Sequence, residues 1–284
     1  MFFTAFTLVF TLLGAPQEDA APAWEWKKPE GAEQYAAAKK DFEAGKYSAA
    51  GKAFSSLRKL AKDKATKKEV ALYRAACEGG IKLGVYAKKA KSSKYKAYLD
   101  ASKNAPKYVG TPIQKKYDDF IAQLRADVFQ EVENFDRSGS RFLEKNGKTF
   151  IKDEKWVKQG TQSLKWVASG DNISLKVKGR SLPDDLTPYA AISLWVCFPQ
   201  KKAPFSLAFR CRGSSKENTQ NAMVVNAFVK TLPGHKGWKR VEVPLKGFRS
   251  QGKTDWKNIK DFRIEFNGPP NLTLYLDDIT LIKK

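Results

Sequence analysis

The chain of 284 residues predicts a multidomain protein, α followed by all-β: helical hairpins first, then an antiparallel β-sandwich. Three observations predict it. Apolar residues recur at helical spacing from Ala32 to about Phe129. After Glu131 the apolar rhythm changes to period two, in short runs divided by turn residues. The length suits two modest domains, and a 42% hydrophobic, 12% aromatic composition supplies each with enough apolar surface for a core.

The elements follow in order. Residues 1–23 open with the apolar block MFFTAFTLVFTLLGA, shorter than the ~20 residues a membrane helix needs. It reads as a signal peptide with small-residue cleavage points at Ala15 and Ala23, although the positive n-region is only the amino terminus itself. Export to the periplasm, envelope or exterior is expected, with no transmembrane span after processing. No cysteine follows the block, which argues against a lipid anchor. Residues 24–31 form a linker and residues 32–130 a helical domain. There Tyr35, Ala38 and Phe42 share a helix face, Gly45 breaks it, and Tyr47, Ala50, Phe54 and Leu57 resume it. Two more helices, 70–90 and 92–105, end at Ala105-Pro106, and a last one opens at Pro112. The strands expected in 131–284 are SLKWVA, ISLKVKG, AISLWVCF, FSLAFRCR, NAMVVNAFV, WKRVEVPL, DFRIEFN and LTLYLDDITLI.

Charge narrows the partners. Residues 24–130 carry 24 basic against 12 acidic side chains and residues 131–284 carry 28 against 16, so the net +22 belongs to both halves. Such a field favours polyanions, acidic glycans or anionic surfaces; export makes nucleic acid the least fitting of them. A merely solvated lysine-rich surface is the other reading. Three cysteines, Cys77, Cys197 and Cys211, make no disulfide framework. If the strands 190–198 and 205–212 form a hairpin, Cys197 falls opposite Ser206 and Cys211 opposite Ile192, too far apart to bridge. The single histidine, His235, sits in a turn with no nucleophile motif beside it, so neither a triad nor a zinc site can be assembled. Asp277 and Asp278, as strand neighbours, face opposite ways and cannot share one glycosidic bond. The chain is read as non-catalytic.

Two resemblances extend this reading. Ala38, Gly45, Tyr47, Ala50 and Phe54 resemble the small and aromatic positions of a tetratricopeptide repeat, which implies either a groove for a protein partner or a spacer. Further on, Asn134-Phe135-Asp136 as an opening strand, Gly160-Thr161-Gln162-Ser163-Leu164-Lys165-Trp166, Gly237-Trp238 through Val243-Pro244-Leu245, and Leu274-Tyr275-Leu276-Asp277-Asp278-Ile279 occur in order. Together they resemble the galactose-binding-domain-like jelly rolls of carbohydrate-binding modules. The second step is similar to the N-terminal sandwich of chondroitin and hyaluronan lyases, the last two to modules of complex I intermediate-associated type. Pro244, lacking an N–H, marks a sheet edge or exit.

The resemblance implies a polysaccharide ligand and one structural calcium ion. Asp136 and Asp277 would supply carboxylates to calcium and the loop Asp153–Thr161 carbonyls; alternatively the two acids cap turns or meet lysines. For the glycan, alternation sets Leu207, Phe209, Cys211, Ile264 and Phe266 inward. Arg210, Arg212, Arg263 and Glu265 are left outward, with Trp195 and Asn226 expected beside them. The guanidinium groups would match carboxylate or sulfate and Trp195 would stack on a sugar ring, with Trp156 at the rim. In the plainer reading Arg210 pairs with Glu265 across strands and Trp195 packs under a loop. Two functions remain open: recognition of an acidic polysaccharide, or an envelope scaffold whose helices hold a protein while the jelly roll is structural.

Overall fold

A computed structural model describes residues 24–136, 142–144, 151–168, 173–177, 182–199, 205–215, 223–232, 236–250, 254–267 and 272–284. The expected signal peptide and His235 lie outside the described residues. The chain divides into two compact units: one ends at Lys89 and takes in Leu99–Phe120, the other joins Ala90–Tyr98 to Ile121–Lys284.

Five helices come first: α1 (Glu30–Glu43), α2 (Tyr47–Leu60), α3 (Lys64–Ala90), α4 (Lys94–Asn104) and α5 (Gln114–Val128). Gly45 ends α1 in the left-handed conformation, φ 75°. Its N–H bonds Phe42 O and that of Lys46 bonds Asp41 O, closing the orphaned carbonyls as helix ends require. Tyr35, Phe42 and Phe54, placed on one face by their spacing, surround Tyr73, whose ring stacks on Phe54 at 5.1 Å. The third helix begins at Lys64, ahead of the expected Val70. Asp63 caps it there, its Oδ1 accepting the N–H groups of Ala65 and Thr66, a polar start signal without apolar periodicity.

From Phe129 the second unit is built of strands: β1 (Phe129–Glu133), β2 (Phe142–Glu144), β3 (Ile151–Asp153), β4 (Ser163–Ala168), β5 (Ile173–Val177) and β6 (Tyr189–Phe198). There follow β7 (Phe205–Ser215), β8 (Met223–Leu232), β9 (Gly237–Pro244), β10 (Arg249–Ser250), β11 (Thr254–Asn267) and β12 (Leu272–Lys283). They make two antiparallel sheets, one in the order β3-β4-β12-β6-β9 with β1 also on β12, the other β10-β8-β7-β11-β5-β2. Between the sheets lies one core, with Leu164, Trp166, Leu194, Val196, Val241, Val243, Leu274 and Leu276 from the first and Cys211, Ile259, Phe262 and Ile264 from the second. Each large side chain buried there contributes roughly 1.5–3 kcal/mol, so the alternation that fills the core also holds the sheets together. Pro244 ends β9, the last strand of its sheet, where the missing N–H removes no ladder bond.

Three expectations are corrected. β6 and β7 are consecutive but form no hairpin: they lie in different sheets. Cys197 therefore pairs in register with Tyr275 and Trp238, and Cys211 with Phe262 and Asn226. Neither forms a disulfide and both thiols are buried, and burial pushes that of Cys197 up to about 11. Asn134-Phe135-Asp136 is a tight turn after β1 and no strand. Phe135 takes φ 62° and is fully buried, and its N–H donates to Glu133 Oε1 at 2.8 Å. Trp256, whose flanking Lys253 and Lys257 read in the sequence as a loop, stands in β11 and packs against Phe248 and the core.

Candidate functional site

The acids of the sequence motifs meet at one loop, residues 154–162 between β3 and β4. Asp277 Oδ2 accepts the N–H groups of Lys158 and Gln159 at 2.7 and 2.9 Å, and its Oδ1 accepts Asp278 N–H at 2.7 Å. Asp136 Oδ1 accepts Thr161 N–H and Gln162 N–H at 2.6 and 2.9 Å. Gly160 sits between them at φ 74°, and a methyl group there would overlap the Asp136 carboxylate. The glycine, the threonine and the two aspartates are thus a single device that fastens the loop. Asp277 is fully buried, and desolvation raises its pKa to about 6 against the pull of its three N–H donors.

At the expected calcium pair both carboxylates meet backbone N–H groups. The cation takes six to eight oxygen ligands. Here the loop turns N–H groups toward Asp277 and toward Asp136 Oδ1.

The same loop covers Trp195. That half-buried indole alternates with Leu194 and Val196 and so faces away from the core, but the Lys158 ammonium lies 4.5 Å above its ring. Trp156 packs on Tyr275, ring centroids 5.8 Å apart. Beside them on this face, the Arg240 guanidinium is 4.6 Å from the Phe129 ring and under 6 Å from those of Tyr95 and Tyr98, while its Nε donates to Ser193 Oγ at 2.7 Å. Arg125 closes on Asp278 with two hydrogen bonds. On the outward face of the first sheet, Trp195 and Arg240 are thus held by side chains of their own unit.

The other sheet holds the arginines. Arg210 and Arg212 stand in β7, Asn226 in β8, Arg263 and Glu265 in β11; Trp195, expected beside them, belongs to β6 of the first sheet. Alternation sets which residues of a strand share a face, but not which strand lies next to it. Asn226 is also out of phase with the arginines, since its register partner is the core residue Cys211. Arg210 is opposite Arg263, and Glu265 opposite Ala208, so no directly opposed Arg210–Glu265 pair forms.

One register row crosses all six strands: Arg249, Ala227, Arg210, Arg263, Lys176, Leu143. It is in the phase opposite to Cys211, Phe262 and Ile264, and four of its six residues are basic. The flanking rows are Val225-Arg212-Asp261 and Val229-Ala208-Glu265-Ser174. No aromatic residue occurs in these three rows. Sequence reasoning missed Lys176 and Arg249. Lys176 alternates with Leu175 and Val177 and was legible; Arg249 stands in the two-residue strand β10, too short for any period.

Against this geometry, the sequence model of the family described as carbohydrate binding domain 30, CBM30, matches residues 126–283. The chain belongs to that family. Its CBM30 domain takes in the end of α5 and all the described strands. Solved structures similar to the chain include the family 30 carbohydrate-binding module of a cellulosomal cellulase of Clostridium thermocellum, at 15% identity, 55% of this chain, 98% of that one and TM-score 0.42. The family 11 module from Clostridium thermocellum, solved with a β-1,3-1,4-mixed-linked tetrasaccharide, is 14% identical over 55% and 96%, TM-score 0.41. A xylan-binding family 22 domain from Paenibacillus barcinonensis is 14% identical over 53% and 97%, TM-score 0.38. No curated protein matches the chain at a significant level.

Proposed function

We propose that this is an exported, non-catalytic protein whose CBM30 domain recognises an anionic polysaccharide through the outward phase of the β10-β8-β7-β11-β5-β2 sheet. The helices before it act as spacer or docking segment. The observation that carries the reading is the basic row. Like charges directly opposite each other destabilise a sheet, and here Arg210 faces Arg263 in register and Arg263 faces Lys176. Carboxylate or sulfate groups laid along the row would complement its positive charge, and guanidinium forks suit both. The net charge of +22 adds long-range attraction for the same polymers. Export rests on the apolar block at the start of the chain. Retention of the full chain on columns of acidic and of neutral polysaccharide tests the proposal. Retention on the acidic column alone is expected, weakened by salt and lost in Arg210→Gln/Arg263→Gln. Equal retention on the neutral column, or retention unchanged by the substitutions, overturns it.

A further inference from the structure

A cavity of about 670 Å³ in the CBM30 unit lies away from the basic row. Its volume is within the ~300–1,000 Å³ of small-molecule sites. Leu186, Leu245 and Ile282 make an apolar floor, all three buried. Tyr95, Tyr189 and Trp256 line the walls with Glu242, and Lys246 and Lys284 belong to the same lining.

These groups are held in place. The Tyr95 hydroxyl donates to Glu242 Oε1, and the Arg240 Nε stands 3.7 Å from the same oxygen. Tyr189 is anchored through its hydroxyl to Gln130 Oε1. Leu186 N–H donates to Trp256 O at 2.7 Å, tying the 182–188 segment to β11 beside the indole. Lys284 gives one of its N–H donors to Thr187 O at 2.6 Å.

From this juxtaposition we infer a second binding site, for a single acidic sugar unit such as a chain end or side branch. A pyranose ring has apolar faces that suit aromatic walls and hydroxyls that donate to a carboxylate. Lys246 and Lys284 add positive charge complementary to an anionic substituent, which a neutral sugar lacks. The inference rests on the carbohydrate reading of the family but on residues separate from the basic row, so the two fail separately.

The test is a titration of the full chain with glucuronic acid and, separately, with glucose. The readout is the indole N–H resonance of Trp256, assigned through Trp256→Phe. Saturable shifts with glucuronic acid are expected, at an affinity about tenfold or more above that for glucose. They should persist in Arg210→Gln/Arg263→Gln and weaken about tenfold in Lys246→Glu, an exposed position that leaves the core untouched. Absence of a Trp256 shift, equal response to glucose, or loss of the shift in the arginine double variant overturns the second site. If the Trp256 shift is absent while the chain is still retained on acidic polysaccharide, only the second site falls.

Discussion

Arg125 grips Asp278 with both guanidinium nitrogens, Nη1 donating to Oδ2 at 3.1 Å and Nη2 to Oδ1. The carboxylate is almost wholly buried, its side chain 5% exposed, and stands where the β12 register shifts. Removing one partner leaves the other charge buried and unmatched. Arg125→Met should destabilise the protein by about 2–3 kcal/mol, the quarter exposure of the arginine reducing the cost of a fully buried pair. Asp278→Asn should cost a similar amount without backbone strain, because asparagine tolerates the φ of 48° there. The double variant should lose less than the sum; urea unfolding of all four proteins checks it.

Gly160 and Asp136 are coupled by contact. Gly160→Ala should cost about 2 kcal/mol or more, from both the positive φ and the overlap with the carboxylate. Asp136→Ala leaves the Thr161 and Gln162 N–H groups without this acceptor and should cost about 1–3 kcal/mol. Once Asp136 is gone the overlap is gone too, so adding Gly160→Ala to it should cost only the backbone strain. Additive losses in thermal unfolding would show that the two do not share one device.

Asp277 makes stability depend on pH with a sign opposite to the usual acid. Its pKa is raised from 3.8 to about 6 by desolvation, so between these values the folded state holds the proton more often than the unfolded state does. Stability from this group therefore falls as pH rises from about 4 to about 6, by about 3 kcal/mol in all, and is level above that. Melting curves across this range should be flatter for Asp277→Asn than for the native chain. Identical slopes would mean that Asp277 ionises normally.

Calcium should leave the melting temperature unchanged at millimolar concentration, as should a chelator, because N–H groups occupy Asp136 and Asp277. A ligand that binds only the folded state must raise it, so a calcium-dependent rise would mean that the loop turns its carbonyls inward instead.

Much of this was legible in the chain itself. Helical spacing from Ala32 and alternation after Glu131 determined the class, eight of the twelve described strands and the core positions Leu194, Val196, Cys211 and Ile264, because a side chain's face follows from its backbone period alone. Strand neighbours were decided only by the tertiary structure. Trp195 and Arg210 are 15 positions apart in the chain yet lie on different sheets, Arg249 joined the basic row through a strand of two residues, and Tyr95 reached Glu242 across 147 positions. Pairing between distant strands is set by how whole faces pack and which sheet each strand joins, and no local period records that.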